Sequence, residues 1–115
     1  AATSLLFRDT ARSATALLQW TEYHRLIGVE HFYVYLVEIF GQGDDHLLPN
    51  LPYITYIPSY LLTAQTNFSR SLFSFQNAQQ MDALLRSRAA GIDWLAFNDL
   101  DEFIQLMDGK TKLDL

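Results

Sequence analysis

The segment Trp94 to Phe103, Trp-Leu-Ala-Phe-Asn-Asp-Leu-Asp-Glu-Phe, constrains the fold of this chain more than any other stretch. An apolar run ends abruptly in Asn98, Asp99, Leu100, Asp101 and Glu102. Bounded by Gly91 on one side and acids on the other, the run reads as a short buried strand. A buried strand holds its C-terminal end rigidly, so the acids emerge at a fixed place. In open α/β sheets, ligands collect outside the carboxyl ends of the strands. Asp99 and Asp101, two apart, can converge on one divalent cation through oxygen ligands if the backbone turns between them.

The upstream residues supply a sheet for that strand to join. Thr3 to Phe7 reads as a first strand whose end presents Arg8 and Asp9. From Ala11, Ala16, Trp20, Tyr23 and Ile27 recur at helical spacing with Leu17 alongside; Thr10 or Ser13 can cap the helix and Gly28 stops it. His31 to Val37 is dense in β-branched and aromatic residues, the pattern of a strand buried on both faces. Gly41 to Asp45 is a loop, with Asp44 or Asp45 capping a short helical piece over His46 to Leu48. Tyr53 to Ile57 is a third strand closed by Pro58. Ser71 to Ala90 reads as a second long helix with Phe75, Ala78, Met81 (or Asp82) and Leu85 on one face, ended by Gly91. Trp94 to Phe97 is then a fourth strand, and Glu102 to Met107 a further strand or a turn. Strands alternating with helices imply an α/β fold with a largely parallel sheet and flanking helices.

The totals narrow the function classes. Half of the 115 residues are apolar, which predicts a folded chain rather than a disordered one. The net charge of -5 argues against a nucleic-acid partner, because phosphate binding needs a basic patch. No cysteine is present, which excludes disulfides and thiolate metal sites. No apolar run approaches the ~20 residues of a membrane span. One domain at most fits this length, and a complete α/β enzyme is usually larger. The chain lacks an initiating methionine and stops soon after the acids, so it reads as a partial domain.

Two blocks, taken in order, carry a resemblance. Trp20, Tyr23, His24, Gly28, Val29, His31, Phe32, Tyr33 and Tyr35 are spaced as in a W-x-x-Y/H-H-x-x-x-G-V-x-H-F-Y-x-Y pattern. Gln76 begins a Q-x-x-A-type helix, and Trp94 to Phe103 follows a W-x-x-x-x-D-x-D-E-F pattern. From Leu6 to Met107 the chain resembles family 92 glycosyltransferases and related family 2-like transferases. That resemblance implies a GT-A type fold, a Rossmann-like sheet binding a nucleotide-sugar donor, with a glycan or other acceptor engaged elsewhere. It further implies a Golgi lumenal setting in a eukaryote and a cytoplasmic one in a bacterium. In such enzymes the D-x-D aspartates hold manganese or magnesium and reach the donor's ribose and diphosphate. By position, Asp101 is the direct metal ligand and Asp99 lies on the donor side and shares the metal. Glu102 orients the turn or a metal-bound water. The chain departs from the family where Arg8-Asp9-Thr10 replaces a Lys-Asn-Glu-type segment. It departs again after the second strand, where the nearest acids are Asp44 and Asp45.

Plainer readings stand beside these. Spacing alone leaves Asp99 and Asp101 as a solvated acidic turn, and only the two ordered blocks together favour a cation site. Asp9 is either a helix cap or a nucleotide contact. Trp20 reads as core, and Tyr23 and His24 as packing or hydrogen-bonding residues. Arg86 and Arg88 read as a solvated helix face. The rival functions are a non-catalytic nucleotide- or metal-binding module and an acidic phosphoacceptor domain. The second rival lacks a lysine at the end of a later strand, since Lys110 and Lys112 follow the acids directly.

Overall fold

The computed structural model describes residues 2–7, 11–36, 48, 50–58 and 68–114. Within them lie four strands, β1 (Ala2–Phe7), β2 (His31–Leu36), β3 (Ile54–Pro58) and β4 (Leu95–Phe97), and two helices, α1 (Ala11–Leu26) and α2 (Phe68–Ala89). The strands form one sheet in the order β3-β2-β1-β4, every pair parallel. This is an α/β fold of Rossmann-like type. Tracing runs outward from β1 to β2 and β3, then returns to place β4 on the other side of β1. The strand order therefore reverses between β1 and β4. At such a switch point, the diverging connections leave a crevice outside the carboxyl ends of the strands.

Strand β2 explains how both faces are covered. Successive strand residues point to opposite faces. Phe32, Val34 and Leu36 join Leu17 and Trp20 of α1 in one core cluster. Tyr33 and Tyr35 join Ala2 and Ala83 of α2 in the other. The helices thus lie on opposite faces, and β2 is buried on both, as its composition predicts. Truncating a side chain such as Trp20, which is 0% exposed, costs about 3–5 kcal/mol in a packed core.

Both helices end in the same way. Gly28 (φ 108°) and Gly91 (φ 73°) take the left-handed conformation that L side chains rarely adopt. Around them Val29 N–H donates to His24 O and Gly28 N–H to Arg25 O, and Ile92 N–H donates to Ser87 O and Gly91 N–H to Arg88 O. These paired bonds are Schellman motifs, which satisfy the last carbonyls of each helix and turn the chain toward the next strand.

Several expectations are corrected. The sheet-facing line of α2 is Gln79, Ala83 and Ser87, whereas Met81 and Leu85 are 59% and 58% exposed. Ala83 and Ser87 are small and let the helix approach the sheet closely, while Gln79 is buried as a polar residue, so hydrophobicity did not choose the face. Strand β4 is not buried: it is an edge strand among the described residues, with Leu95 and Ala96 half-buried and Phe97 exposed. Trp94 falls outside the strand and is 58% exposed. Glu102 to Met107 is irregular chain rather than a further strand. Ser13 lies inside α1 and is not its cap. The expected loop at Gly41 to Asp45 lies outside the described residues, as does the helical piece expected over His46 to Leu48 except for Leu48, which sits in a bend.

The α2 packing makes a prediction. Ala83→Leu forces a bulky branched side chain into a closed gap and is expected to destabilise by about 1–3 kcal/mol. Leu85→Ala on the solvent side should stay within about 0.5 kcal/mol of the parent. Denaturant midpoints of the two variants check the assignment.

Candidate functional site

The acids lie at the carboxyl end of β4, on the crevice side of the strand-order reversal. Asp99 to Glu102 forms a closed turn. Glu102 N–H donates to Asp99 O at 3.0 Å, and Asp99 N–H donates to Glu102 Oε1 at 2.7 Å. The second bond explains one role of the glutamate, whose carboxylate clips the turn shut by satisfying a main-chain donor. Leu100 points the other way and packs against the α1-side core cluster. An apolar residue between two acids thereby anchors the turn, while Asp99, Asp101 and Glu102 stay exposed.

Because β4 is half-exposed, the turn is held mainly from its far side. Trp20 Nε1–H donates to Glu102 O at 2.8 Å, and Tyr23 O–H donates to Ile104 O at 2.8 Å. Ile104 N–H donates to His24 Nε2 at 3.2 Å, and His24 Nδ1 meets Trp20 O at 2.8 Å. A main-chain N–H only donates and a carbonyl only accepts, so His24 is neutral with its proton on Nδ1. Phe103 stacks on His24 at 5.7 Å and meets Tyr23 edge-on at 5.1 Å. Trp20 is core as expected, and Tyr23 and His24 make the hydrogen bonds expected of them.

A polar cleft of about 110 Å³ adjoins the turn, lined by Gln76, Gln79, Gln80, Phe97, Asn98, Asp99 and Glu102. Asn98 Oδ1 is buried there without a hydrogen-bond partner. The glutamines and Asn98 form no site motif in the sequence, because amides carry no spacing signal that separates a cleft from a solvated face. The cluster Gln76, Gln79 and Gln80 ahead of the acids was the available hint. The structure brings Asp99 and Glu102 to this cleft, and Asp101 sits beside them on the same turn. Asp9 lies outside the described residues, as do Arg8, Asp44 and Asp45. Arg86 is bound to Asp82 at 2.7 Å on the α2 surface, where Asp82 also accepts from Tyr35 O–H at 2.6 Å. His31 meets Thr55 Oγ1 at 2.7 Å, a link within the sheet.

Two titrating groups report on the site. Burial, then the nearby charges of Glu102 and Asp101, hold the Asp99 carboxyl above its ordinary value of 3.8. Among the described residues, no cation pulls that carboxyl back down. Burial lowers His24 below the ordinary 6.5, against the opposing pull of its bond to the Trp20 carbonyl. Among the described residues, no three His, Asp or Glu side chains gather as a ready-made metal cluster. The available donors are all oxygens, from Asn98, Asp99, Asp101 and Glu102, which is the chemistry of hard cations. No helix among the described residues is long and apolar enough to cross a membrane.

A Rossmann-like sheet with acids at the carboxyl end of a strand beside its switch point defines an α/β protein of the open-sheet class. The family is equally definite: residues 7–115 match the model of glycosyltransferase family 92, and the chain belongs to that family. It is 32% identical over 100 residues to a glycosyltransferase family 92 protein of Ricinus communis, an alignment covering 85% of this chain. The chain spans 16% of that relative's length. No solved structure matches it.

The two shifts have opposite signs. His24 favours the neutral form in the folded state, so its contribution is complete above pH 6.5 and is lost as pH falls through its lowered folded value. Asp99 favours the protonated form, so its contribution is present below pH 3.8 and is lost as pH rises through its raised folded value. Comparing stability against pH for the parent, His24→Gln and Asp99→Asn should show each slope disappear separately. A histidine slope of the opposite sign would contradict the Nδ1–H assignment.

Proposed function

We propose that this chain is the donor-binding part of a metal-dependent glycosyltransferase, which moves a hexosyl-type sugar from a nucleotide-sugar to an acceptor. One observation carries the reading: in a member of family 92, a closed Asp99-Leu100-Asp101-Glu102 turn sits at the carboxyl end of β4, beside the switch point. Asp101 and Asp99 are assigned to a manganese or magnesium ion. The oxygen-only donor set supports this, as does the Asp99 carboxyl, raised first by burial and then by the charges of Glu102 and Asp101. Magnesium-type sites often use one or two carboxylates, with water and substrate phosphates in the remaining positions, so a pair of aspartates suffices. A bound cation supplies Lewis-acid stabilisation to a leaving nucleoside diphosphate.

The protein's own groups divide the remaining work. Asp99 faces the amide-lined cleft, where its carboxylate can accept from donor hydroxyls. Gln76 and Gln80 offer both donors and acceptors to the same hydroxyls. Asn98 Oδ1, buried and unpartnered, offers a further acceptor. Glu102 keeps the turn closed through the Asp99 N–H rather than entering the ion's coordination. Asp9, following β1 next to β4, is assigned a contact with the nucleotide. The acceptor-binding residues are assigned to the remainder of the longer protein, since the chain spans 16% of its Ricinus relative.

Calorimetric titration with Mn2+ and a panel of nucleoside diphosphates tests this. Binding of at least one diphosphate is expected to require the ion. Asp101→Ala should weaken that binding by about tenfold or more, equivalent to about 1.4 kcal/mol. Binding that is independent of metal and indifferent to Asp101→Ala would sink the reading.

A further inference from the structure

We propose that Trp20, Tyr23 and His24 of α1 are positioning residues for the acidic turn, setting the place of Asp99 and Asp101 through the main chain of residues 102–104. The proposal rests on the reading of those aspartates as cation ligands. Its basis is where the three side chains direct their hydrogen bonds. Trp20 takes the Glu102 carbonyl, Tyr23 the Ile104 carbonyl, and His24 the Ile104 N–H. Glu102, which closes the turn, and Ile104 just beyond it are thus fixed at three main-chain atoms by one helix face.

The connection to the acids runs through Glu102. Its carbonyl is held by Trp20, while its N–H and carboxylate close the turn onto Asp99. Asp101 is exposed, and its side chain makes no hydrogen bond or ion pair with the described residues. Its position is therefore inherited from its neighbours. Upstream, β4 is only three residues long and half-exposed, and it pairs with β1 alone among the described strands. It offers weak restraint. Downstream, the ring of Phe103 lies against both His24 and Tyr23, restricting rotation of the segment about its own axis. The helix face is the firmer of the two anchors.

A fold-stabilising role alone would make these bonds interchangeable with any others of equal strength. The Tyr35 hydroxyl supplies that comparison, since it bonds Asp82 at 2.6 Å between β2 and α2, away from the acids. The experiment uses the full chain and Mn2+ alone, with free ion followed by its electron paramagnetic resonance signal well below the unfolding temperature. Trp20→Phe and Tyr23→Phe each keep an aromatic ring and delete one donor. Together they are expected to raise the Mn2+ dissociation constant about tenfold, a difference of about 1.4 kcal/mol. Tyr35→Phe is expected to leave it unchanged even where its loss of thermal stability is as large. A double variant that binds Mn2+ like the parent overturns the positioning role, as does an equal loss in Tyr35→Phe. Asp101→Asn separates the two levels. Unchanged Mn2+ affinity in that variant overturns the cation reading and the proposal with it, whereas loss there but not in the helix variants overturns the positioning role alone.

Discussion

The bond from Trp20 Nε1–H to the Glu102 carbonyl is the interaction on which the site's architecture depends. It joins a fully buried helix residue to the residue that closes the acidic turn, 82 positions away in the chain. Leaving a buried donor or acceptor unpaired costs about 1–3 kcal/mol, whereas a formed bond contributes nearer 1. That asymmetry makes the arrangement specific. If the chain after the turn slipped by one residue, the indole, the phenol and the imidazole would all lose partners together. The pattern of penalties selects a single register even though the segment has no secondary structure of its own.

The sheet supplies the frame in which that register matters. Parallel pairing and the reversal of strand order put the carboxyl ends of β1 and β4 side by side. The helix on one face reaches over to grip the chain leaving β4, and the helix on the other lends its amides to the cleft. Both helices are brought to a stop by a left-handed glycine, so the following strands start where the sheet needs them. Leu100 adds the last restraint by burying its side chain while its flanking acids face out.

Much of this was legible in the chain itself. Apolar, aromatic and β-branched runs bounded by turn residues located the four strands, and helical spacing located both long helices. The glycine stops were readable because few other residues tolerate the required backbone. The turn acids were readable because charge directly after an apolar strand is uncommon. Other features were not accessible, for physical reasons. The inner face of α2 could not be found by hydrophobicity, because two of its three buried residues, Gln79 and Ser87, are polar. The exposure of β4 depends on which strands pair, which local sequence does not encode. The grip of α1 on residues 102–104 ends at main-chain atoms, and main-chain atoms leave no trace in the identity of the residues that carry them. Trp20 therefore reads as core, and Tyr23 and His24 as packing or hydrogen-bonding residues with no stated target.

The edge position of β4 has a practical consequence for handling the protein. Parallel pairing with β1 uses one side of the strand, and no described strand covers the other. Trp94, Phe97, Phe103 and Met107 are exposed in the same stretch of chain. A bare strand edge flanked by exposed aromatics is the usual seed for self-association. Among the described residues, this edge and its aromatics form the surface most disposed to self-association at high concentration. A solubilising charge belongs at Trp94 or Met107, which lie outside β4 and make none of the bonds that hold the turn.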